Sequence, residues 1–435
     1  MSRLATAERL RSPRPVDETA IKIERVVVVS DDVWPTGGAG GVARQNVLYA
    51  AQAGPKVTVL VGDSASSAGL PAEVEIAPVF GGALNEAAGL TAAIGGVFNA
   101  GVRNRVARWI AENDTPQTIY HLHNWHKSLS PSVFHALRRV ERRLVMTAHD
   151  YFLVCPNGAF HNFRTGQPCD LAPLSGKCFA ENCDKRRYLH KAWRVARHGV
   201  RAGLFQLASM NGLVLVPHED VTPHLVRGGV RPERIKVLRN AVTPWTSHRV
   251  VAERQSGVLF VGRLEADKGV HLVAEAAQRC GLQLTVVGEG PLAAPLAAAY
   301  PGHRFLGRRT RAEIGEIAAQ TRLLVVAPLW RETFGLVTFE GLLSGIPTML
   351  SRSALVADEL RRFDAAELFS GGDIEDLTAK LSYLNNDVGR LIELSVNGFN
   401  LRERVAPGQE TWGCKLGGVY RKVLSDAQSY ERCGP

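Results

Sequence analysis

With 435 residues, 45% of them hydrophobic and 22% charged, the chain can form two domains that each bury a core, and its composition excludes a disordered or fibrous protein. No run reaches the roughly 18 apolar residues of a membrane span, and the first residues lack the apolar core of a secretory leader. Seven cysteines in such a chain point to reduced thiols in a cytoplasmic setting, and the net charge of +10 favours an anionic partner without choosing among nucleic acid, anionic lipid and a phosphorylated substrate.

Residues 1–24 read as a flexible tail. RVVVVS at 25–30 is an uninterrupted apolar run, as expected of a strand buried on both faces. DDVWPTGGAGGVARQN follows as a glycine-rich loop running into a helix over 42–53. Strands are expected at 56–61, 74–79, 119–123 and 144–147, with helices at 98–111 and 132–139. Strand–helix alternation of this kind makes a parallel, doubly wound sheet. It is interrupted by a cysteine-rich insert at 151–190, then resumes with a helix to 209 and strands at 213–217 and 235–238. This first domain covers 25–243, and the polar stretch 244–257 reads as a linker. A second α/β domain follows over 258–405, with strands at 258–261, 284–287, 323–327 and 348–350 and helices at 269–280 and 292–299. The last segment, 406–435, holds a helix at 410–427.

The densest motif is RLLVVAPLWRETFGLVTFEGLLSGIPTML at 322–350. It reads as a strand, a loop with Glu332 and Gly335, a helix with Glu340, and a strand after Pro347. Seven residues separate the two glutamates; on one helix they would lie more than two turns apart and off one line. Glu332 in the loop and Glu340 in the helix would instead face one ligand at the carboxyl edge of the sheet, where open α/β sheets bind. Gly335 lets the backbone approach that ligand, and the amides of Phe334, Gly335 and Leu336 form an anion site.

This pattern and its flanks resemble the signature of family 4 retaining glycosyltransferases, which have the GT-B fold. The resemblance implies two Rossmann-like domains facing across a cleft, with a C-terminal helix returning to the first. It implies that Glu340 holds the ribose of a nucleotide sugar, that Glu332 touches the transferred sugar, and that the Phe334–Leu336 amides bind the diphosphate. VLFVGRLEADKG at 258–269 is similar to the family as well, implying that Arg263 and Lys268 clamp the diphosphate beside Gly262. VGEGP at 287–291 would shape the base pocket. VLRNAV at 237–242 keeps Asn240 but departs from the family with Arg239 for proline and Ala241 for glycine. TAHDY at 147–151 places His149 where the family hydrogen-bonds the donor sugar, and Gly40 and Gly41 fall in the loop between donor phosphate and acceptor.

Other readings compete at several places. Gly38-x-Gly40-x-x-Ala43 mimics a dinucleotide fingerprint, with Asp63 near the place of its ribose acid. Seven residues between Ser30 and Gly38 disfavour the tight turn that an NAD-dependent oxidoreductase needs. His121, His123 and His126 have metal-like spacing, but a strand end lining the acceptor cleft, with at most one functional histidine, is the simpler reading. Cys155, Cys169, Cys178 and Cys183 are separated by 13, 8 and 4 residues. That spacing lacks paired C-x2-C knuckles and leaves a structural zinc and buried free thiols both open. KRRYLHKAWRVARHGVR at 185–201 carries seven Lys or Arg and no acid. A peripheral membrane contact over 185–205, a lipid-diphosphate acceptor and a solvated basic face all fit it.

Taken with the resemblance, these residues lead us to expect a retaining glycosyltransferase that needs no metal or cofactor for catalysis. A nucleoside-diphosphate sugar is its co-substrate, and the acceptor is a saccharide or polyprenyl-diphosphate-linked saccharide. Its place is cell-surface polysaccharide assembly, cytoplasmic or at the inner face of the plasma membrane, with no nucleic-acid partner. An NAD-dependent oxidoreductase and a non-catalytic basic binding protein are the remaining alternatives.

Overall fold

The computed structural model describes residues 21–35, 38–79 and 90–433, so most of the expected tail lies outside it. The strands, in chain order, are β1 (Arg25–Ser30), β2 (Lys56–Val61), β3 (Glu75–Pro78), β4 (Thr118–Leu122), β5 (Leu144–Thr147), β6 (His161–Asn162), β7 (Gln167–Pro168), β8 (Leu213–Val216), β9 (Ile235–Val237), β10 (Ser256–Val261), β11 (Leu284–Val287), β12 (Arg304–Phe305), β13 (Thr321–Val326), β14 (Thr348–Ser351) and β15 (Ala366–Phe369). Seven of them form one sheet in the order β3-β2-β1-β4-β5-β8-β9, and six form a second in the order β12-β11-β10-β13-β14-β15. Every pairing in both sheets is parallel. β6 and β7 make a small antiparallel hairpin in the insert.

Alternation along the central strands divides each domain into two cores, because successive side chains point to opposite faces. Val27 and Val29 pack with the helices Ala100–Asn113 and Ser132–Leu137. Val26 and Val28 pack with the helices Gly38–Gln52 and Gln409–Cys433. In the second domain Val258 and Phe260 face the helices Val270–Arg279 and Ile374–Asn386, while Leu259 faces the helix Leu336–Leu342. Each such side chain, removed from water on both sides, contributes about 1.5–3 kcal/mol.

The C-terminal helix does return to the first domain, burying Trp412, Leu416 and Tyr420 there. Tyr49 fits against Gly413, whose place a Cβ would bring within 2.0 Å of the ring. The stretch 244–257, expected as a linker, lies on the second domain: Trp245, Val250 and Ala252 join its core, and Ser344 Oγ accepts from the Trp245 amide at 2.8 Å. Arg239, which stands where the resembling family has proline, bridges the domains. It pairs with Glu359 at 2.9 Å and donates to the Val405 carbonyl at 2.9 Å, while His218 meets the same carboxylate at 3.2 Å.

Candidate active site

The second-domain half of the site lies where β10 and β13 end. After Val261 the chain turns through Gly262–Gly269, and Gly269, at φ +68°, backs so closely onto β13 that a Cβ would meet the Ala327 carbonyl at 2.1 Å. Only glycine fits both conditions. The turn brings Lys268 onto the loop after β13, where its ammonium pairs with the Glu332 carboxylate and lies 5.7 Å from the Trp330 ring centre. Both partners are largely shielded, with 19% and 14% of their side chains exposed. Arg263 is more open, 61% exposed, and pairs with Glu265 at 2.6 Å.

Beyond Glu332, Phe334 is buried and stacks on Phe339 with ring centres 4.5 Å apart. Gly335 takes φ +74° and starts the helix Leu336–Leu342. Among the described residues the amides of Phe334, Gly335 and Leu336 have no hydrogen-bond partner, and three neighbouring N–H groups without partners form an anion-binding surface. Glu340 projects from that helix into an ion pair with Arg311 at 2.7 Å. Burial pushes its carboxyl above the usual range even though Arg311 pulls the other way.

The first-domain half is built on the ends of β4 and β5. His123 and His149 stack with ring centres 5.2 Å apart, and His123 Nδ1 lies 2.9 Å from His149 Nε2. His123 Nε2 lies 3.0 Å from Asn46 Nδ2, and Tyr420 of the C-terminal helix donates to Asn46 Oδ1 at 2.9 Å. Burial, followed by the charge of His126, lowers His149 to about 3; burial, followed by the charges of His121 and His149, drives His123 well below the ordinary imidazole range. A small cavity opens here, lined by Asn124, His126, His149, Asp150 and Leu153 among others. The two halves meet directly: Thr333 Oγ1, next to Glu332, donates to the His149 carbonyl at 2.6 Å.

The insert spans the two halves. Lys185 reaches Asp267 at 2.7 Å and Glu265 at 3.7 Å, standing between the two acids that neighbour Arg263 and Lys268. Burial would raise Asp267, but Lys185 beside it holds the carboxyl below its ordinary value. Arg331 pairs with Asp170 of the insert at 3.1 Å.

The structure therefore joins Lys268, Glu332 and, through Thr333, His149 in one place. Arg263 and Glu340 are held in ion pairs of their own. Gly40 and Gly41, expected in a loop ahead of the helix, are already in its first turn. Gly40 is there for packing, since a Cβ would meet Asp32 Oδ1 at 2.1 Å. Asn240 is buried, 6% exposed, just after β9. The four insert cysteines do not form a metal-binding set: among the described residues no three His, Cys, Asp or Glu side chains are arranged to hold an ion. Lys191 takes the central position instead, its ammonium 3.1 Å from Cys183 Sγ and 3.5 Å from Cys178 Sγ, and a cation there repels another.

The basic helix is observed as Tyr188–Leu204 and turns much of its charge inward, with Lys191, Arg197 and Arg201 buried. Among the described residues no helix is long and apolar enough to cross a membrane. Sequence reasoning passed over Asn46, Arg311, Thr333 and Tyr420, and read Lys185 only as part of a basic stretch. Thr333, Glu265 and Asp267 were in plain view inside the two donor-loop motifs, while Asn46, Arg311 and Tyr420 carry no local signal because the fold brings them in from far along the chain.

Solved structures with the same arrangement cover nearly the whole chain. Sucrose-phosphate synthase of Thermosynechococcus elongatus aligns with a TM-score of 0.68 and 16% identity over 92% of this chain and 98% of that one. Alr3699/HepE of Anabaena, in complex with UDP and glucose, aligns with a TM-score of 0.64 and 16% identity over 92% and 100%. The fold is GT-B. Within it, residues 255–387 match the profile of the family described as Glycosyl transferases group 1. A GDP-mannose-dependent alpha-mannosyltransferase of Corynebacterium glutamicum is 33% identical over 121 residues, 28% of this chain and 27% of that protein. The chain thus spans about a quarter of the length of the curated relatives it matches. The matched segment of the GT-B chain contains Arg263, Lys268, Glu332 and Glu340.

Proposed function

We propose that this protein is a retaining glycosyltransferase that moves a sugar from a nucleoside-diphosphate sugar to a saccharide or lipid-linked saccharide acceptor. One observation carries the reading. Inside the segment that matches the glycosyl transferase profile, Lys268, Glu332 and three unpartnered amides meet at the carboxyl edge of the second sheet, and Thr333 ties that loop to His149 across the cleft. Solved neighbours bound to UDP and to UDP-glucose support a nucleotide-sugar donor for this fold.

Glu340 would release Arg311 and take the ribose hydroxyls, and Arg263 would swing from Glu265 to the diphosphate. Breaking the anomeric bond places negative charge on the leaving diphosphate and oxocarbenium character on the sugar. Lys268, Arg263 and the Phe334–Leu336 amides would stabilise the former as it develops. Glu332 and His149 would hold the sugar, and the leaving phosphate would take the acceptor's proton. The insert, closing over the donor loops through Lys185 and Arg331, would exclude water from the reactive sugar.

A lipid-linked acceptor and a membrane contact are supported by the tip of the basic helix. There Phe179 and Leu189 are 48% and 78% exposed beside the exposed Arg186 and Arg187, an apolar point ringed by cations of the kind that enters an anionic bilayer surface. Such a position fits assembly of a surface polysaccharide at the inner face of a membrane. The test is a screen of UDP-, GDP- and ADP-sugars for nucleoside-diphosphate release with saccharide and polyprenyl-diphosphate acceptors. Turnover of one donor that stops in Glu332→Gln supports the reading, whereas no turnover with any donor would remove it.

A further inference from the structure

We propose that Lys185, presented by the insert, is a positioning residue for the diphosphate clamp: it occupies Asp267 and thereby keeps Arg263 and Lys268 available to the donor. This role rests on the transferase reading and brings a first-domain residue to the phosphate side of the site. Along the loop Gly262–Gly269, the two cations that would meet a diphosphate, Arg263 and Lys268, flank two acids, Glu265 and Asp267. Such a loop neutralises itself unless its acids find partners elsewhere. Asp267 is the harder one to satisfy. Its side chain is only 5% exposed, and a carboxylate shut away from water needs a cation. Lys185 supplies that cation at 2.7 Å from Oδ2. Its Nζ also lies 3.7 Å from Glu265, so when Arg263 turns to the diphosphate, Lys185 is already beside the carboxylate it leaves.

Lys185 is not a loose surface lysine. The preceding residue, Asp184, is fully buried, accepts from the Arg186 amide at 2.9 Å and pairs with Arg194 of the basic helix at 3.1 Å. The ring of Phe163, also from the insert, lies 4.8 Å from the Lys185 ammonium. A side chain held in this way gives up less freedom on pairing across the domains than one on a mobile stem.

Among the described residues Asp267 Oδ1 is buried without a hydrogen-bond partner, so this carboxylate can accept more than it now does. Burial pushes its carboxyl up, Lys185 is the strongest of the charges that hold it down, and Arg263 and Lys268 act after it. Without Lys185, Asp267 would draw on those two cations, and the diphosphate would compete with a buried carboxylate for each of them. Donor binding would weaken although Lys185 itself need not touch the donor. Removing the carboxylate together with the lysine would restore binding, because the competitor is gone.

The test is calorimetric titration of the full-length protein with UDP, GDP and ADP. Lys185→Met should weaken binding of the nucleotide that the wild type takes by at least about tenfold, the effect of one charge-assisted hydrogen bond. Asp267→Asn should bind at least as tightly as the wild type. Lys185→Met/Asp267→Asn should return to within about twofold of the wild type, the usual scatter of such cycles. Lys185→Arg keeps the cation and should keep the affinity.

Equal affinity in Lys185→Met and the wild type overturns the proposal. So does a double variant as weak as Lys185→Met, because Lys185 would then meet the diphosphate itself or act only by holding the insert down. If Lys185→Met does not fold, Asp267→Asn decides: binding as tight as the wild type or tighter supports the role, and weaker binding overturns it. A wild type that takes none of the nucleotides would remove the transferase reading and this role with it. A wild type that takes one of them, with variants that do not differ, would leave that reading standing and strike only the role of Lys185.

Discussion

Replacing Lys268 by glutamine or alanine separates its chemical role from its structural one. In the structure its ammonium pairs with the Glu332 carboxylate, and in the proposed reaction it would turn to the donor diphosphate. Loss of the first leaves a carboxylate with 14% of its side chain exposed short of its partner. Hydrogen bonds to charged groups of this kind are worth about 1.5–3 kcal/mol, so a drop of a few degrees in Tm is expected. Loss of the second removes one preorganised charge from the developing leaving group, which costs about 100- to 1000-fold in kcat, or roughly 3–4 kcal/mol. The assay is initial-rate release of nucleoside diphosphate at saturating donor, with Tm measured on the same preparations. The reasoning predicts that Lys268→Gln retains a cooperative fold and loses at least about 100-fold in kcat. A variant that melts early but keeps kcat within about threefold would refute it, because Lys268 would then be a structural cation only.

Burial raises the Glu340 carboxyl, so the native state disfavours its charged form and stability falls as pH rises through the carboxylate range. Glu340→Gln is therefore expected to melt at or above the wild-type Tm at pH 7, with the difference closing below about pH 4, while donor affinity is lost; a clearly lower Tm at pH 7 contradicts this. Glu359 has the opposite sign. Burial pushes its carboxyl up, but hydrogen bonds from His218 and Arg239 more than reverse that and hold it low. Its contribution is present above about pH 4.3 and lost as pH falls through the depressed value. Glu359→Gln should accordingly lower Tm at neutral pH and flatten the acid limb of the Tm profile, and an unchanged acid limb argues against an interdomain role. Thiol labelling followed by peptide mass spectrometry should modify the exposed Cys414 well before the buried Cys155, Cys178 and Cys183; equal rates would show that the insert opens readily.

Much of this architecture was legible because the parallel strands are buried on both faces and therefore appear as plain apolar runs. RVVVVS and VLFVG could hardly be anything else. The C-terminal elements were harder. β12 is two residues long, and the helix Val388–Val405 spreads Leu391, Leu394, Leu401 and Val405 among charged and polar residues, so neither stands out by local pattern. At the site, Lys268 and Glu332 were readable because each lies in a compact motif at a strand end. The asparagine and tyrosine behind His149 were not. Asn46 and Tyr420 are 374 residues apart, and each is an ordinary polar residue in a helix until the fold places it in a buried hydrogen-bond chain. Arg239 shows the converse. Its departure from the family pattern left the loop geometry open in the sequence, and its ion pair with Glu359 across the domain boundary gives the substitution a physical reason.

The central claim is that a sugar nucleotide binds where β10 and β13 end. Calorimetric titration of the wild type and of the Arg263→Ala/Lys268→Ala double variant with the donor found by screening tests it most directly. The account predicts one site on the wild type and affinity weaker by at least about 100-fold in the double variant, the loss of two charge-assisted contacts. Equal affinity in the two proteins would place the nucleotide elsewhere and contradict the account.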